Sequence, residues 1–412
     1  MSGEHPHPEY ALADPTSEAL EAIDVRLTAL ETTEPPIEPP VEPPVEPPVD
    51  PPPGDWPALE EELYALAEER RFWPVPTSRD LLVSGGGSSA KVREGIASQS
   101  AGATIVVDGG YEFDGVPLRP RDGQKVVFVP GSSIDGLGFK VPIIWSPHED
   151  VLIANAELHN LKTDQWNSDG AIQAWGKGVG KRWTVYGVHI YNIGQQLGPW
   201  TSGAQPFRGI GVRMGHNWKL LYSNIHDCIR YAYAAGGVDG EIAYNWFHDS
   251  PGRSGASGVT KSVNSKRQHT HHNLLQRNRG NGLWVDGPLG GNNEYIIEKN
   301  LVEDCEHTGI FAEINCGGII RHNLVKRCGT KDAQRAGIKD LGSPNVLIYG
   351  NRVEDSPRGY MVKTDLRIPK PDSVCQFTVD GVEVYDNEAV DCAVPMTTNQ
   401  AGKFVDRDNT WS

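Results

Sequence analysis

Two segments of this chain place an aromatic residue two positions ahead of a carboxylate: Trp284 before Asp286, and Phe311 before Glu313. Paired carboxylates are the equipment of glycoside hydrolysis, with separations of roughly 5–5.5 Å for retention and 6.5–9.5 Å for inversion. Flat rings beside them suit a sugar chain, because aromatic faces stack on pyranose faces. If strand residues alternate in and out from a recurrent glycine, one outward file holds Arg213, Ser262, Asp286, Glu313, Leu341 and Lys363. A second file then holds Thr260, Trp284, Phe311, Lys339 and Met361. The expectation is a glycan contact made by Trp284, Phe311 and Lys339, with Asp286 and Glu313 as the catalytic pair if there is chemistry. The same residues also fit contact without catalysis, or an ordinary solvated face.

Histidine is the other candidate chemistry. The run "RQHTHHN" (Arg267–Asn273), with His248, His307 and His322, has no ligand spacing and reads as surface imidazoles. The six cysteines have neither metal-site spacing nor the density of a disulfide scaffold, so the expectation is reduced, buried thiols.

The elements that would position these groups are written as a repeat. Nine times an apolar stretch leads to a small residue, and Asn, Ser or Cys lands five places later. The first positions are Asn155, Gly187, Ser223, Asn245, Asn273, Asn300, Asn323, Asn351 and Asn387. Their partners are Asn160, Asn192, Cys228, Ser250, Asn278, Cys305, Cys328, Ser356 and Cys392. Spacings of 22 to 36 residues fall in the range that signals a solenoid. Each unit reads as three short strands, with a glycine (Gly170, Gly209, Gly258, Gly282, Gly309, Gly337, Gly359) before the third. Asn tolerates left-handed backbone angles, so the first-position Asn is expected to turn the strand. Stacked units make an all-β, right-handed parallel β-helix, stabilised by its nearest neighbours.

Ahead of the coil lie three further parts. Residues 1–33 hold "SEALEAIDVRLTALE", whose Leu20, Ile23, Leu27 and Leu30 form a short coiled-coil seam in need of partners. Residues 34–54 repeat Glu-Pro-Pro-Val, a polyproline II linker of about 3.1 Å per residue and so roughly 60 Å. Residues 55–79 are an amphipathic helix and connector, and 80–412 the coil, of which 80–145 are the N-terminal cap and first rungs. Charge follows this division. Of the net −16, residues 1–73 carry −15, from 18 acidic and three basic side chains, and the remainder is nearly neutral. No basic balance supports nucleic-acid binding. No run of 18 apolar residues supports membrane insertion, and no secretory signal is read at the start.

The repeat, with "VREGIASQSAGATIVVDGGYEFDG" (Val92–Gly115) as a cap, resembles the pectate-lyase-like superfamily of right-handed β-helix proteins. "NSDG" at Asn167–Gly170 is similar to one polygalacturonase motif, but the other motifs of that family are not found, nor is a pectate-lyase calcium signature. The opening "HPHPEYALAD" resembles the His-x-His-x-x-Tyr-Ala segments of bacteriophage tail fibres, and the order of parts resembles a phage minor tail protein or tailspike. That resemblance implies a homotrimer docked on other tail proteins by its N-terminus, with a transition-metal ion held by His5 and His7 of three chains. It implies residence in the virion tail and a host surface glycan as partner. Two functions stay open: attachment by glycan recognition, or a glycan-cleaving depolymerase, hydrolase or lyase.

Overall fold

The computed structural model describes residues 54–163, 170–174, 180–197, 207–252, 258–287, 294–365, 367, 377–399 and 404–412. The coiled-coil seam, the linker and the His5/His7 pair lie outside them. Clustering of contacts divides the chain into residues 1–49 and 50–412, and the account below concerns the second unit.

The coil is a right-handed parallel β-helix with three strands per rung. Two sheets have 13 described strands each and the third has 10, every pairing between them being parallel. The first sheet runs from Leu81–Ser84 to Phe404–Arg407, the second from Gly87–Ser88 to Thr410–Trp411, the third from Ile144–Trp145 to Val394–Thr398. Inward residues such as Ile153, Val185, Leu220, Ile242, Ile297, Ile320 and Ile348 form one continuous apolar core. A nine-residue helix, Ala90–Ser98, covers its N-terminal end with Val92 and Ile96 buried.

Two corners per rung carry the repeat. At the corner between the first and second sheets, Asn245, Asn273, Asn300, Asn323, Asn351, Asn387 and Asn409 form an inner ladder. Each backbone N–H donates to the Oδ1 of the next Asn, at 2.9–3.1 Å. Each Nδ2 from Asn245 to Asn387 donates to that same Oδ1, at 2.9–3.0 Å. The left-handed turn is made one place earlier, by Tyr222, Tyr244, His272, Lys299, His322 and Asp386, with φ of 50–57°. The Asn therefore bonds the corner together and its predecessor bends the chain, a correction to the turning role expected of Asn. Only Asn155 and Gly187 sit at the bend itself, at φ 60° and 61°.

The second corner repeats the arrangement. Asp227, Asp249, Arg277, Asp304, Arg327, Asp355 and Asp391 take positive φ, and Cys228, Ser250, Asn278, Cys305, Cys328, Ser356 and Cys392 stack inside. Cys228, Cys305, Cys328 and Cys392 are free and buried. Cys316, which lies off this ladder, is disulfide-bonded, so the expectation of reduced thiols throughout is corrected there. The recurrent glycine has a spatial cause: a Cβ on Gly309 would meet the Gly337 carbonyl oxygen and Val325 Cγ1, both at 2.7 Å.

The segment before the coil is bound along its flank. Helix α1 (Trp56–Glu68) starts under an Asp55 cap, with Ala58 N donating to its carboxylate. Trp56, Leu59 and Leu63 pack on Leu274, Leu301 and Leu324, an outward apolar stripe of the second sheet. Burying each such side chain contributes about 1.5–3 kcal/mol. Lys326 pairs with Glu60 at 2.7 Å, and Tyr64 donates to Glu303 at 3.1 Å. The connector continues towards earlier rungs. Arg71 lies over the Tyr222 ring, and Trp73 exchanges backbone bonds with the Asn155 amide at 2.7 and 2.9 Å.

Candidate functional site

The third sheet presents the predicted cluster. Trp284 is paired with Phe311, Phe311 with Lys339 and Lys339 with Met361, while Asp286 is paired with Glu313, Glu313 with Leu341 and Leu341 with Lys363. These five site residues are brought together on the side facing away from the core. The expected files fail one rung earlier. Ser262 pairs with Val285 and Val263 with Asp286, so Thr260 and Ser262 face inward and Lys261 comes level with Trp284. Arg213 pairs with Ala234, and Ala234 with Lys261, which moves Arg213 into the Trp284 file. The cause is a slip of one residue: Gly258 bridges to Asn281, not to Gly282, and a one-residue slip reverses every face.

Lys261 is the residue that sequence reasoning missed. Its Nζ bonds Asp286 Oδ2 at 2.6 Å and lies 3.5 Å from the centre of the Trp284 ring. Trp284 and Phe311 stack with centroids 5.8 Å apart and planes 18° apart, and Lys339 Nζ stands 5.0 Å from the Phe311 centre. The order along the coil is cation, indole, phenyl, cation. Both outer faces of the ring pair are thus met by ammonium groups, and the rings are only 4 % and 3 % exposed. The open stacking platform expected for a sugar is absent from this geometry, because the ring planes lie across the coil and turn edges outward.

What the indole does is hold a carboxylate. Trp284 Nε1 donates to Glu313 Oε2 at 3.0 Å, and Arg367 Nη2 donates to Glu313 Oε1 at 2.6 Å. Arg367 is half-exposed and also bonds Asp365. Its sequence position, 54 residues beyond Glu313, belongs to no repeat and gave no signal. Burial pushes the Glu313 carboxyl above its ordinary pKa, and the neighbouring Asp286 charge adds to this while Arg367 opposes it. Burial, with Arg335 nearby, brings the Lys339 ammonium down to about 8. Its Nζ donates to the Gln334 carbonyl at 3.0 Å. The two acids therefore sit in unlike surroundings, one ion-paired to Lys261 and one buried between an indole and a guanidinium. Such asymmetry is what separates an acid from a base in catalysis.

The histidines read as superficial are partly not so. His248, His272 and His307 are buried, the first two in aromatic files with Trp246 and Tyr244. Stacking of successive rungs brings these rings face to face. Among the described residues no group of three or more His, Cys, Asp or Glu is placed to hold a metal.

Comparison with known proteins bears on the fold. Residues 288–410 match the family model described as right handed beta helix region. The mannuronan C-5 epimerase AlgE4 A-module of Azotobacter vinelandii is 14 % identical, with a TM-score of 0.52 over 81 % of this chain and 100 % of that one. A mannuronic acid specific polysaccharide family 6 lyase from human gut microbiota is 13 % identical, with a TM-score of 0.56 over 79 % of this chain and 78 % of that one. The periplasmic alginate epimerase AlgG gives 12 %, 0.52, 80 % and 85 % respectively. No curated protein matches in sequence. At these identities the likeness is one of fold.

Proposed function

We propose that this chain is a glycan-engaging β-helix, and that the cluster of Lys261, Asp286, Glu313, Lys339 and Arg367 on its third sheet meets the carbohydrate. The observation that carries the reading is Glu313: a buried carboxylate on the outward side of the sheet, held by one indole and one half-exposed guanidinium. A site of this kind offers hydroxyls and acidic groups of a sugar both donors and acceptors at short range. The neighbours in fold are named for action on polysaccharides, which agrees with it. In the wider reading the protein is a minor tail protein of a phage virion, trimeric through residues 1–33, docked on other tail proteins by its N-terminus and carrying the coil towards a host surface glycan. His5 and His7 of three chains would hold a transition-metal ion in that assembly. Binding of the full-length protein to an array of bacterial surface glycans and mannuronate oligosaccharides, with Glu313→Gln and Arg367→Gln alongside, tests the site. Loss of binding in both variants is expected; binding by the wild type that neither variant alters would remove the site. A density map of intact particles tests the place in the tail.

The second reading, a depolymerase, is favoured by the unequal surroundings of Asp286 and Glu313. Here Glu313 is the acid and Asp286 the paired carboxylate. Either Glu313→Gln or Asp286→Asn would then lower turnover by about 10²–10⁴ with binding retained. Absence of any new reducing ends or unsaturated products from glycans that bind would leave attachment alone.

A further inference from the structure

On the second sheet, far from the Glu313 cluster, a file of rings lies beside the connector. His159 stacks on Tyr191 at 4.9 Å, Tyr191 on His226 at 5.3 Å and His226 on His248 at 4.5 Å. His189, on the adjacent outward file, meets His226 through their Nε2 atoms at 3.0 Å. That contact requires one nitrogen to donate and the other to accept. His226 Nδ1 is 2.7 Å from the Asp227 carboxylate, so Nδ1 carries the His226 proton and leaves its Nε2 as the acceptor. His189 must then donate from Nε2, which leaves its Nδ1 bare. That nitrogen is buried without a hydrogen-bond partner and lies 3.7 Å from Glu157.

We infer that the His189–His226 pair is an acid-sensitive latch beneath the connector. In the neutral pair the single Nε2 proton closes the bond. One added proton fits on His189 Nδ1, facing Glu157. A second has only His226 Nε2 to go to, and there it meets the His189 N–H head on, so the rings must part.

The groups that face the pair set the direction of the response. From the coil these are Glu157, which also accepts from Tyr191 at 3.1 Å, Asp227 and the amide of Asn224. From the connector comes Arg70, buried and donating to the Gly187 carbonyl at 3.5 Å. Its fixed cation opposes charging of His189, and Glu69 and Arg71 stand with it around a water-sized gap at the seam. Burial first, then Arg70, lower the His189 pKa to about 4. A folded-state pKa depressed below the unfolded value of about 6.5 means stability that is intact above 6.5 and declines as pH falls towards 4. Acid charges the seam, and the half that yields is the connector, which has few contacts, while the stacked rungs hold.

Hydrogen exchange of the full-length protein at pH 7.5 and 4.5, corrected for intrinsic rates, tests this. Peptides covering residues 66–75 are expected to lose at least about tenfold in protection at pH 4.5, the equivalent of one pKa unit. Those covering Ile297–Glu303 should not change. In His189→Gln and His226→Gln the acid-dependent loss should vanish; if one variant disrupts its own rung, seen in peptides of Leu152–Leu161 at pH 7.5, the other decides. An unchanged wild-type connector at pH 4.5, or an acid loss that persists in a folded variant, overturns the inference.

Discussion

Replacing Asn300 tests whether the coil is held by ladder chemistry or by ladder volume. The Asn300 amide makes five contacts. Its Nδ2 donates to the carbonyls of Thr270 and Glu298 and to Asn323 Oδ1, at 2.9–3.0 Å. Its Oδ1 accepts from Asn273 N and Nδ2, at 3.0 and 2.9 Å. Asn273 Nδ2 has other acceptors in the Ile242 and His271 carbonyls, but its backbone N–H has no second partner among these bonds. Asn300→Ala therefore strands one buried donor, at about 1–3 kcal/mol, and forfeits further bonds at about 0.5–1.5 kcal/mol each. The sum expected is about 3–5 kcal/mol. Asn300→Asp separates the explanations, because it keeps the volume and the acceptor but turns the donor into an oxygen facing three oxygens. It should cost at least as much as Ala. Urea unfolding followed by circular dichroism measures both, with the transition slope reported because a solenoid can open rung by rung. If Asn300→Asp unfolds within about 1 kcal/mol of wild type while Ala does not, shape and not hydrogen bonding is what the corner requires.

Other tests reach the interior and the site. Asp340 is fully buried, with one oxygen accepting from Ser343 N at 3.0 Å and the other unpartnered, and burial raises its pKa well above the usual carboxylate range. A raised folded-state pKa gives stability that is complete below about 3.9, the unfolded value, and lost as pH climbs towards the folded one. Asp340→Asn should thus gain on wild type between pH 4 and 7 in unfolding midpoints, and a constant difference would refute the buried neutral acid. Alkylation with mass spectrometry should label Cys228, Cys305, Cys328 and Cys392 only after unfolding, and Cys316 only after reduction as well; prompt native labelling of Cys305 would contradict its burial. Cys328→Ser, which puts a hydroxyl in place of a buried thiol, should cost about 1–3 kcal/mol by the same denaturation assay. Trp284→Phe removes the indole donor from Glu313 and should raise the carboxyl pKa further in an NMR titration, since a bond to the charged form is lost; an unchanged value would mean the indole contact does not form.

The coil was legible because its repeat is chemical. Asn at one corner and Cys, Ser or Asn at the other are the residues whose side chains bond from rung to rung, so the ladder is written in the letters themselves. The bends were not legible. They are made by Tyr222, His272, Lys299, Arg277 and Asp304, which share a backbone angle but no composition. The site divided in the same manner. From Trp284 to Lys339 the rungs keep register, and counting from each glycine placed those residues correctly. Between Gly258 and Asn281 the count slips by one, which hid Lys261. Burial of the ring pair could not be counted either, since the ammonium groups on its two ends come from different rungs.

The flank-bound segment also fixes how the coil responds to tension. From Lys326, met by Glu60, to His159, level with the connector, the second sheet advances six strands, roughly 29 Å at about 4.8 Å each. A pull on Gly54 directed along the axis is borne in shear by the leucine stripe, the Glu60–Lys326 pair and the Trp73–Asn155 clasp together. The same pull directed outward would peel them singly, beginning at Trp56. Lifetime under load is governed by the rate of opening, so the direction of force would decide whether this attachment behaves as a clamp or as a zip.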